Sequence, residues 1–182
     1  MTILDEITTP QETELLVAFF DLTNFLRFAQ DHSAQEMFDT LSAYFEYVGD
    51  LVEDSGGKVV KFIGDEGFIV YPTENIDRGV LALMDLKTKG DAWLAERNIP
   101  CWNVVQAHFG PVICGPVGTR SDKRFDVYGE TVNTLAQLKS DGFAMTPELF
   151  RKLDADTQEL FKKHTPYVTY IPLGERDKDG SH

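Results

Sequence analysis

Basic residues are scarce in this chain, and their scarcity excludes whole classes of partner. The sequence has 17 Lys and Arg against 30 Asp and Glu, which gives a formal net charge of −13 at pH 7. This balance repels phosphate backbones and anionic lipid headgroups, so we expect neither non-specific nucleic-acid binding nor electrostatic docking on a membrane. A polyphosphate ligand would need cations beside it.

Cysteine and long apolar runs are also scarce. Cys101 and Cys114 form no CxxC motif, and two cysteines in a chain of this size are typical of reduced thiols rather than of a disulfide framework. The first residues, MTILDEITTPQETE, have neither the basic nor the apolar region of a signal peptide, and no segment reaches the roughly 18 apolar residues of a spanning helix. We therefore expect a cytoplasmic protein with no membrane segment in this chain.

Apolar and aromatic residues are plentiful enough for a folded domain. They make up 42% and 12% of the 182 residues, which predicts one domain with a sizeable core, placed here over residues 14–172. The polar residues 1–13 predict a flexible lead-in. The charged residues 173–182 predict a disordered tail.

Hydrophobic periodicity predicts the order of the elements. The run LLVAFF at 15–20 is typical of a strand buried on both faces, and apolar spacing predicts a helix through 37–52. Strands at 58–63 and 67–71 flank Gly64-Asp65-Glu66, a hairpin signal. Further elements are predicted as a helix over 74–96, strands over 104–109, 112–117 and 124–128, a helix over 131–139, a helical turn at 146 and a strand over 165–172. This order predicts an α+β fold with a ferredoxin-like βαββαβ sheet, helices on one face and a C-terminal β/α extension.

Two carboxylates are candidates for metal binding. Asp21 follows the first predicted strand and Asp65 lies in the predicted hairpin, so pairing of these strands would bring both to one end of the sheet. Mg²⁺ takes a few carboxylate oxygens and leaves its other positions to phosphates and water. Because aspartate is common at strand ends and in turns, an ordinary structural role is the alternative.

Four blocks of sequence, in order, resemble a known family. They are FFDLTNFLRF at 19–28, KFIGDEGFIVYP at 61–72, HFGPVICGPVG at 108–118 and FDVYGETVNTLAQL at 125–138. Together they resemble the class III nucleotidyl cyclase catalytic domain, over about residues 13–172. The resemblance implies an adenylate cyclase that converts ATP to cyclic AMP and pyrophosphate. It also implies two Mg²⁺ or Mn²⁺ ions per site and a head-to-tail homodimer.

The resemblance assigns roles to individual residues. Asp21, Asp65 and the backbone carbonyl of Leu22 match the metal contacts of the family. Lys61 and Asp126 match the pair that selects adenine in adenylate cyclases. A lysine donor meets the N1 acceptor and an aspartate accepts from the 6-amino group, whereas guanine would leave the aspartate unpaired.

Two further residues match the family pattern, and three positions depart from it. Asn133 matches the asparagine that orients the ribose and the transition state, and Phe25 lies in a block whose apolar residues line the purine pocket. The family's transition-state arginine is Gln137 here, which implies weaker charge stabilisation at that catalytic position. A glycine and a Thr or Ser of the first block are replaced by Asn24 and Leu26, which narrow the approach to the phosphates.

Basic residues before Asp126 could compensate for the missing arginine. Arg120, Lys123 and Arg124 are candidates for substitute positive charge, with a solvated loop as the alternative. His108 is interpreted as a histidine of the core.

Two other functions stay open. The departures at Gln137, Asn24 and Leu26 favour a catalytically weak cyclase-like module that senses nucleotide or dimerises. Gly64-Asp65-Glu66 overlaps the Gly-Gly-Asp-Glu-Phe signature of diguanylate cyclases, with one glycine missing and one residue inserted before the phenylalanine. The resemblance to class III catalytic domains also implies a regulatory domain or protein outside this chain as a partner.

Overall fold

One mixed sheet organises the chain. The computed structural model describes residues 3–165 and 168–175, and its eight-stranded sheet runs in the order β2-β3-β1-β4-β6-β8-β7, with β5 paired to β4. The strands are β1 (Gln11–Thr23), β2 (Lys58–Ile63), β3 (Glu66–Pro72), β4 (Trp102–Gly118), β5 (Lys123–Tyr128), β6 (Phe143–Met145), β7 (Phe161–His164) and β8 (Thr169–Pro172). The helices are α1 (Phe25–Gln30), α2 (Ala34–Asp54), α3 (Ile76–Glu96), α4 (Glu130–Gln137), α5 (Pro147–Phe150) and α6 (Ala155–Gln158), with 3-10 turns at Ile3–Glu6 and Thr73–Asn75. The predicted α+β class is confirmed, and so is the order of the elements from the first strand through the helix over 74–96, apart from the short helix α1, which was not predicted.

Strand β1 is buried on both faces, as its apolar run predicted. Leu16 and Phe20 belong to the main core, which α2 and α3 cover. Leu15 and Val17 point the other way into a smaller core that includes Leu135 of α4. Successive side chains alternate across a strand, so one run of apolar residues fills two cores.

Local signals set the bounds of α2. Ser33 and Glu36 form a capping box, in which the Glu36 amide donates to the Ser33 hydroxyl and the Glu36 carboxylate accepts from the Ser33 amide. The helix gives way after Asp54 to Ser55 and to Gly56, whose φ of 86° suits glycine. The chain then enters β2, which carries part of the candidate site.

The first residues are more ordered than the sequence predicted. Strand β1 begins at Gln11, and Leu4 is 2% exposed in the smaller core. Asp5 forms an ion pair with Lys58 of β2. The lead-in predicted over 1–13 therefore contains residues that pack against the sheet, because an apolar side chain is buried wherever a neighbouring surface accepts it.

Strand β4 is continuous, whereas the sequence predicted two strands divided at Gly110-Pro111. Pro111 keeps its register opposite Glu14 of β1, and its carbonyl accepts a hydrogen bond from the Thr131 hydroxyl at 2.6 Å. Proline removes only a donor, so the ladder continues on either side of it. Cys101, just before this strand, and Cys114, within it, are free, as predicted, and both are buried.

The C-terminal part differs in detail from the prediction. The strand predicted over 165–172 is the β7–β8 hairpin, with 166 and 167 outside the described residues, and the three-residue β6 was not predicted. Glu175 lies within the predicted tail, yet its carboxylate accepts a hydrogen bond from the Phe143 amide at 2.8 Å. The tail residues 176–182 lie outside the described residues.

Among the helices of the described segments, none is long and apolar enough to cross a membrane.

Candidate active site

Strand pairing brings the two predicted metal-binding aspartates together. Phe20 of β1 lies opposite Gly67 of β3, so Asp21 lies beside Glu66, the first residue of β3, and beside the turn that contains Asp65. Burial raises the pKa of Asp21 above its ordinary value, and the negative charges of Asp65 and Glu66 raise it further. The sequence prediction missed Glu66, although its place next to Asp65 was the available signal.

This accumulation of negative charge suits a divalent cation. Like charges at close range disfavour ionisation of Asp21, and a bound cation would remove that penalty. Within residues 3–165 and 168–175, no group of three or more His, Cys, Asp or Glu side chains could enclose a metal ion by itself. Mg²⁺ is commonly held by one or two carboxylates together with substrate phosphates, so a carboxylate pair fits that mode of binding.

Leu22 and Phe25, also assigned from the sequence, have buried side chains. The Leu22 side chain is 3% exposed in the main core, so only its backbone is left to contact a metal. Phe25 is 9% exposed in the same core, with its ring centroid 5.9 Å from that of Phe28. Its proposed contact with the purine stays a prediction.

A cavity of about 600 Å³ opens beside Asp21. It is lined by β1, β4 and the end of α4, and by three carboxylates, those of Asp21, Glu66 and Asp141. None of the described lining residues is basic. An anionic ligand here would therefore depend on bound cations or on positive groups from another molecule.

Helix α4 presents Asn133 and Gln137 on its surface. Both are exposed, and four residues apart they lie on the same face of the helix. The Asn133 side chain donates to the Glu130 carboxylate at 3.3 Å. Ala136 and Leu138, on either side of Gln137, line the cavity beside Asp21.

Lys61 of β2 and Asp126 of β5 form an ion pair. Lys61 Nζ lies 2.7 Å from Asp126 Oδ2, with side-chain exposures of 40% and 15%. Partial burial would raise the pKa of Asp126, but hydrogen bonds from Lys61, the Val127 amide and Tyr128 outweigh burial and hold that pKa below its ordinary value. The structure thus brings together two residues that lie 65 positions apart.

Tyr128 is a residue of this site that the sequence prediction missed. Its hydroxyl donates to Asp126 Oδ2 at 3.1 Å, and Lys61 Nζ lies 5.9 Å from its ring centroid. Two residues after Asp126 on the same strand, it lies on the same face of the sheet, which was the available signal.

The backbone conformation at position 24 explains why an asparagine can stand where the family pattern has a glycine. Its φ of 73° places it in the left-handed region, where asparagine is tolerated better than most residues. Its side-chain amide donates to the Pro100 carbonyl at 2.7 Å. The asparagine therefore keeps a backbone conformation that glycine would also adopt, and its side chain is engaged with the segment before β4.

Replacement of Asn24 should reveal this conformational requirement. Asn24→Ala is expected to lower the free energy of unfolding by about 1–3 kcal/mol, because alanine combines backbone strain with loss of the hydrogen bond. Asn24→Gly loses only the hydrogen bond and should cost about 1 kcal/mol or less. Urea denaturation followed by circular dichroism measures both, and equal losses for the two variants would contradict the explanation.

The basic residues before Asp126 do not reach the cavity. Arg124 pairs with Asp122 at 3.1 Å, with both side chains largely exposed, and Arg120 and Lys123 are exposed as well. None of the three lines the cavity beside Asp21. Within a single copy of the chain, these three residues therefore behave as the residues of a solvated loop.

His108 is a core histidine, as predicted. It is 7% exposed, and its Nδ1 lies 2.7 Å from the Thr146 hydroxyl. Burial lowers its pKa.

Known proteins with similar sequences are nucleotide cyclases. A family model described as "Adenylate and Guanylate cyclase catalytic domain" matches residues 7–162. A germination-specific adenylate cyclase of Dictyostelium discoideum is 24% identical over 147 residues, which cover 77% of this chain and 17% of that protein. Guanylyl cyclase C of Cavia porcellus is 28% identical over 140 residues, which cover 72% of this chain and 13% of that protein. The chain spans less than a fifth of either relative.

Solved structures share the fold. A bacterial light-regulated adenylyl cyclase has a TM-score of 0.80 at 21% identity, over 91% of this chain and 52% of that chain. A non-canonical dimeric guanylyl cyclase domain of the RhoGC fusion protein of Blastocladiella emersonii has a TM-score of 0.71 at 17% identity, over 91% of this chain and 99% of that chain. Because both adenylyl and guanylyl cyclases are similar to this chain, likeness alone does not separate ATP from GTP.

Proposed function

Because the chain belongs to the family of adenylate and guanylate cyclase catalytic domains, we propose that it converts ATP to cyclic AMP and pyrophosphate. The observation that carries the choice of ATP is the pair of Lys61 and Asp126 at 2.7 Å. Adenine offers an acceptor at N1 and a donor at its 6-amino group, which would meet the lysine and the aspartate. Guanine offers N1–H and a 6-carbonyl, so both partners would face the wrong group, at about 1–3 kcal/mol for Asp126, the more buried of the two.

The other site residues have distinct proposed roles in the reaction. The ribose 3′-hydroxyl oxygen attacks the α-phosphorus as its proton is released to solvent, and the bond from that phosphorus to the leaving pyrophosphate oxygen breaks. Asp21, Asp65 and the Leu22 carbonyl would hold Mg²⁺ or Mn²⁺, two ions per site, which when bound neutralise phosphate charge and acidify the attacking hydroxyl. Asn133 would orient the ribose. Gln137 lies where the family pattern places a cation.

We place each active site between two copies of the chain in a head-to-tail homodimer. Asn133 and Gln137 are exposed on α4, and the described lining of the cavity beside Asp21 contains no cation. The Asp21 side of one copy and the Lys61 side of the other would complete one site, and two-fold symmetry would create a second, equivalent site. A regulatory domain or protein outside this chain is a further proposed partner.

A product assay tests the proposed activity. The purified chain is incubated with ATP or GTP, each with Mg²⁺ or Mn²⁺, and the products are separated by chromatography. We expect cyclic AMP and pyrophosphate from ATP and at least tenfold less cyclic GMP from GTP. Cyclic dinucleotide from GTP alone would show a diguanylate cyclase instead. Sedimentation of the chain as a monomer at every concentration that gives activity would contradict the shared site.

Gln137 favours one other function, a cyclase-like module that binds nucleotide without rapid turnover. A neutral residue at the point where charge develops weakens transition-state stabilisation more than it weakens substrate binding. This function predicts that ATP binds but that no cyclic AMP appears above background, even with Mn²⁺.

A further inference from the structure

We infer that Tyr128 is a specificity-determining residue that favours a 6-aminopurine over a 6-oxopurine through its hydroxyl. This inference rests on the proposed function, because it deepens the assignment of the Lys61–Asp126 pair. It stands on the hydrogen bond from Tyr128 to Asp126 Oδ2 at 3.1 Å.

The hydrogen bonds of Asp126 leave little capacity unused. Its Oδ1 accepts from the Val127 amide at 2.8 Å. Its Oδ2 accepts from Lys61 at 2.7 Å and from Tyr128 at 3.1 Å. A carboxylate has about four lone-pair positions, so three are occupied and one stays free, on Oδ1. With the Tyr128 hydrogen bond in place, the Asp126 carboxylate has one free lone pair with which to accept a hydrogen bond from a ligand.

The ring of Tyr128 also bounds the position of Lys61. The ammonium lies 5.9 Å from the ring centroid, within the range of a cation–π contact. Tyr128 is nevertheless 52% exposed, and such an exposed aromatic residue contributes little to the core. Its hydrogen bond and its position over Lys61 are therefore the main structural reasons for a tyrosine here.

The Tyr128 oxygen adds a second acceptor to the site. After its proton is donated to Asp126, the phenolic oxygen keeps lone pairs that can accept. A 6-amino group has two hydrogens, one for Asp126 Oδ1 and one for the Tyr128 oxygen. A 6-carbonyl has none, so it would face the Asp126 acceptor, and the Tyr128 hydroxyl could donate to it only by giving up its hydrogen bond to Asp126. Loss of the hydroxyl should weaken ATP binding and leave GTP binding nearly unchanged.

The test compares Tyr128→Phe with the wild type. The phenylalanine keeps the ring over Lys61 and removes only the hydroxyl. We expect the ratio of kcat/KM for ATP to that for GTP to fall by about threefold to tenfold, the range of one hydrogen bond between neutral groups. A matched control is Tyr47→Phe on α2, whose ring stacks on Trp93 away from the site residues; its ratio should equal that of the wild type. If Tyr128 had only a structural role, the substitution would lower kcat/KM for ATP and for GTP by the same factor. An unchanged ratio would therefore overturn the inference.

A binding measurement separates this inference from the proposed function. Dissociation constants for ATP and GTP are measured by competition against a fluorescent ATP analogue, for the wild type and for Tyr128→Phe. If the wild type forms no cyclic AMP, the proposed function fails, but the ratio of dissociation constants still decides the role of Tyr128. A threefold or larger loss of ATP preference supports the inference. Equal preference in both proteins, or no binding of either nucleotide, refutes it.

Discussion

Asp65→Asn should lower cyclic-nucleotide formation by about a thousandfold while leaving the fold at least as stable as before. Loss of a metal-holding carboxylate removes several kcal/mol of transition-state stabilisation. The charge of Asp65 also helps to raise the pKa of Asp21, so its removal relieves repulsion in the metal-free protein. The measurements are the rate of product formation from ATP with Mn²⁺ and the midpoint of urea unfolding without metal.

A carboxylate outside the site provides the matched control. Asp85 on α3 pairs with Lys89 at 2.8 Å on the exposed surface. Asp85→Asn should change activity by less than twofold and stability by less than about 1 kcal/mol. Mn²⁺ should raise the unfolding temperature of the wild type and of Asp85→Asn, but not of Asp65→Asn. More than a tenth of wild-type activity in Asp65→Asn would exclude the proposed metal site.

Gln137→Arg should raise the rate of cyclic AMP formation by about a hundredfold or more. Arginine groups that stabilise charge in phosphoryl transfer contribute about 10³- to 10⁵-fold, and we expect a smaller gain than that from an arginine placed without optimised neighbours. The fold should accept the change, because Gln137 is exposed at the end of α4. A cation there also interacts favourably with the helix C-terminus. The measurement is kcat under saturating ATP.

Two further substitutions separate charge from size at position 137. Gln137→Lys adds the charge without the planar guanidinium, and Gln137→Met matches the length without charge. We expect the order Arg, then Lys, then wild type and Met together. Equal rates for Arg and Met would show that a cation at this position does not limit the reaction.

The success of the sequence predictions depended on how local each signal was. The helix through 37–52 and the hairpin around Asp65 were predicted because a periodic apolar face and a turn signal each lie within a few neighbouring residues. The division of β4 was wrong because glycine and proline break a strand only where the pairing strand allows it. Strand β6 has three residues, too few for a periodic pattern.

The same distinction between local and long-range signals separates the site features that could be predicted from those that could not. The two aspartates could be predicted to meet because β1 and β3 are each recognisable and their pairing fixes where the strands end. The ion pair of Lys61 with Asp126 could be anticipated only from the family resemblance, since its formation depends on how closely β5 approaches β2. The burial of Leu4 likewise depends on a surface built by residues far along the chain.

By itself, the sequence indicated the class of fold and most of its elements, because their signals lie in local spacing, and its four blocks carried the resemblance to the family and to that family's site residues. Only the tertiary structure decided that Asn24 occupies a left-handed turn and that Asp126 is shared by Lys61 and Tyr128. It also decided that Asp21 lies in a cavity whose described lining has no basic side chain. These features are set by strand register and by the packing of α4 against the sheet, which arise from contacts between residues distant in the chain.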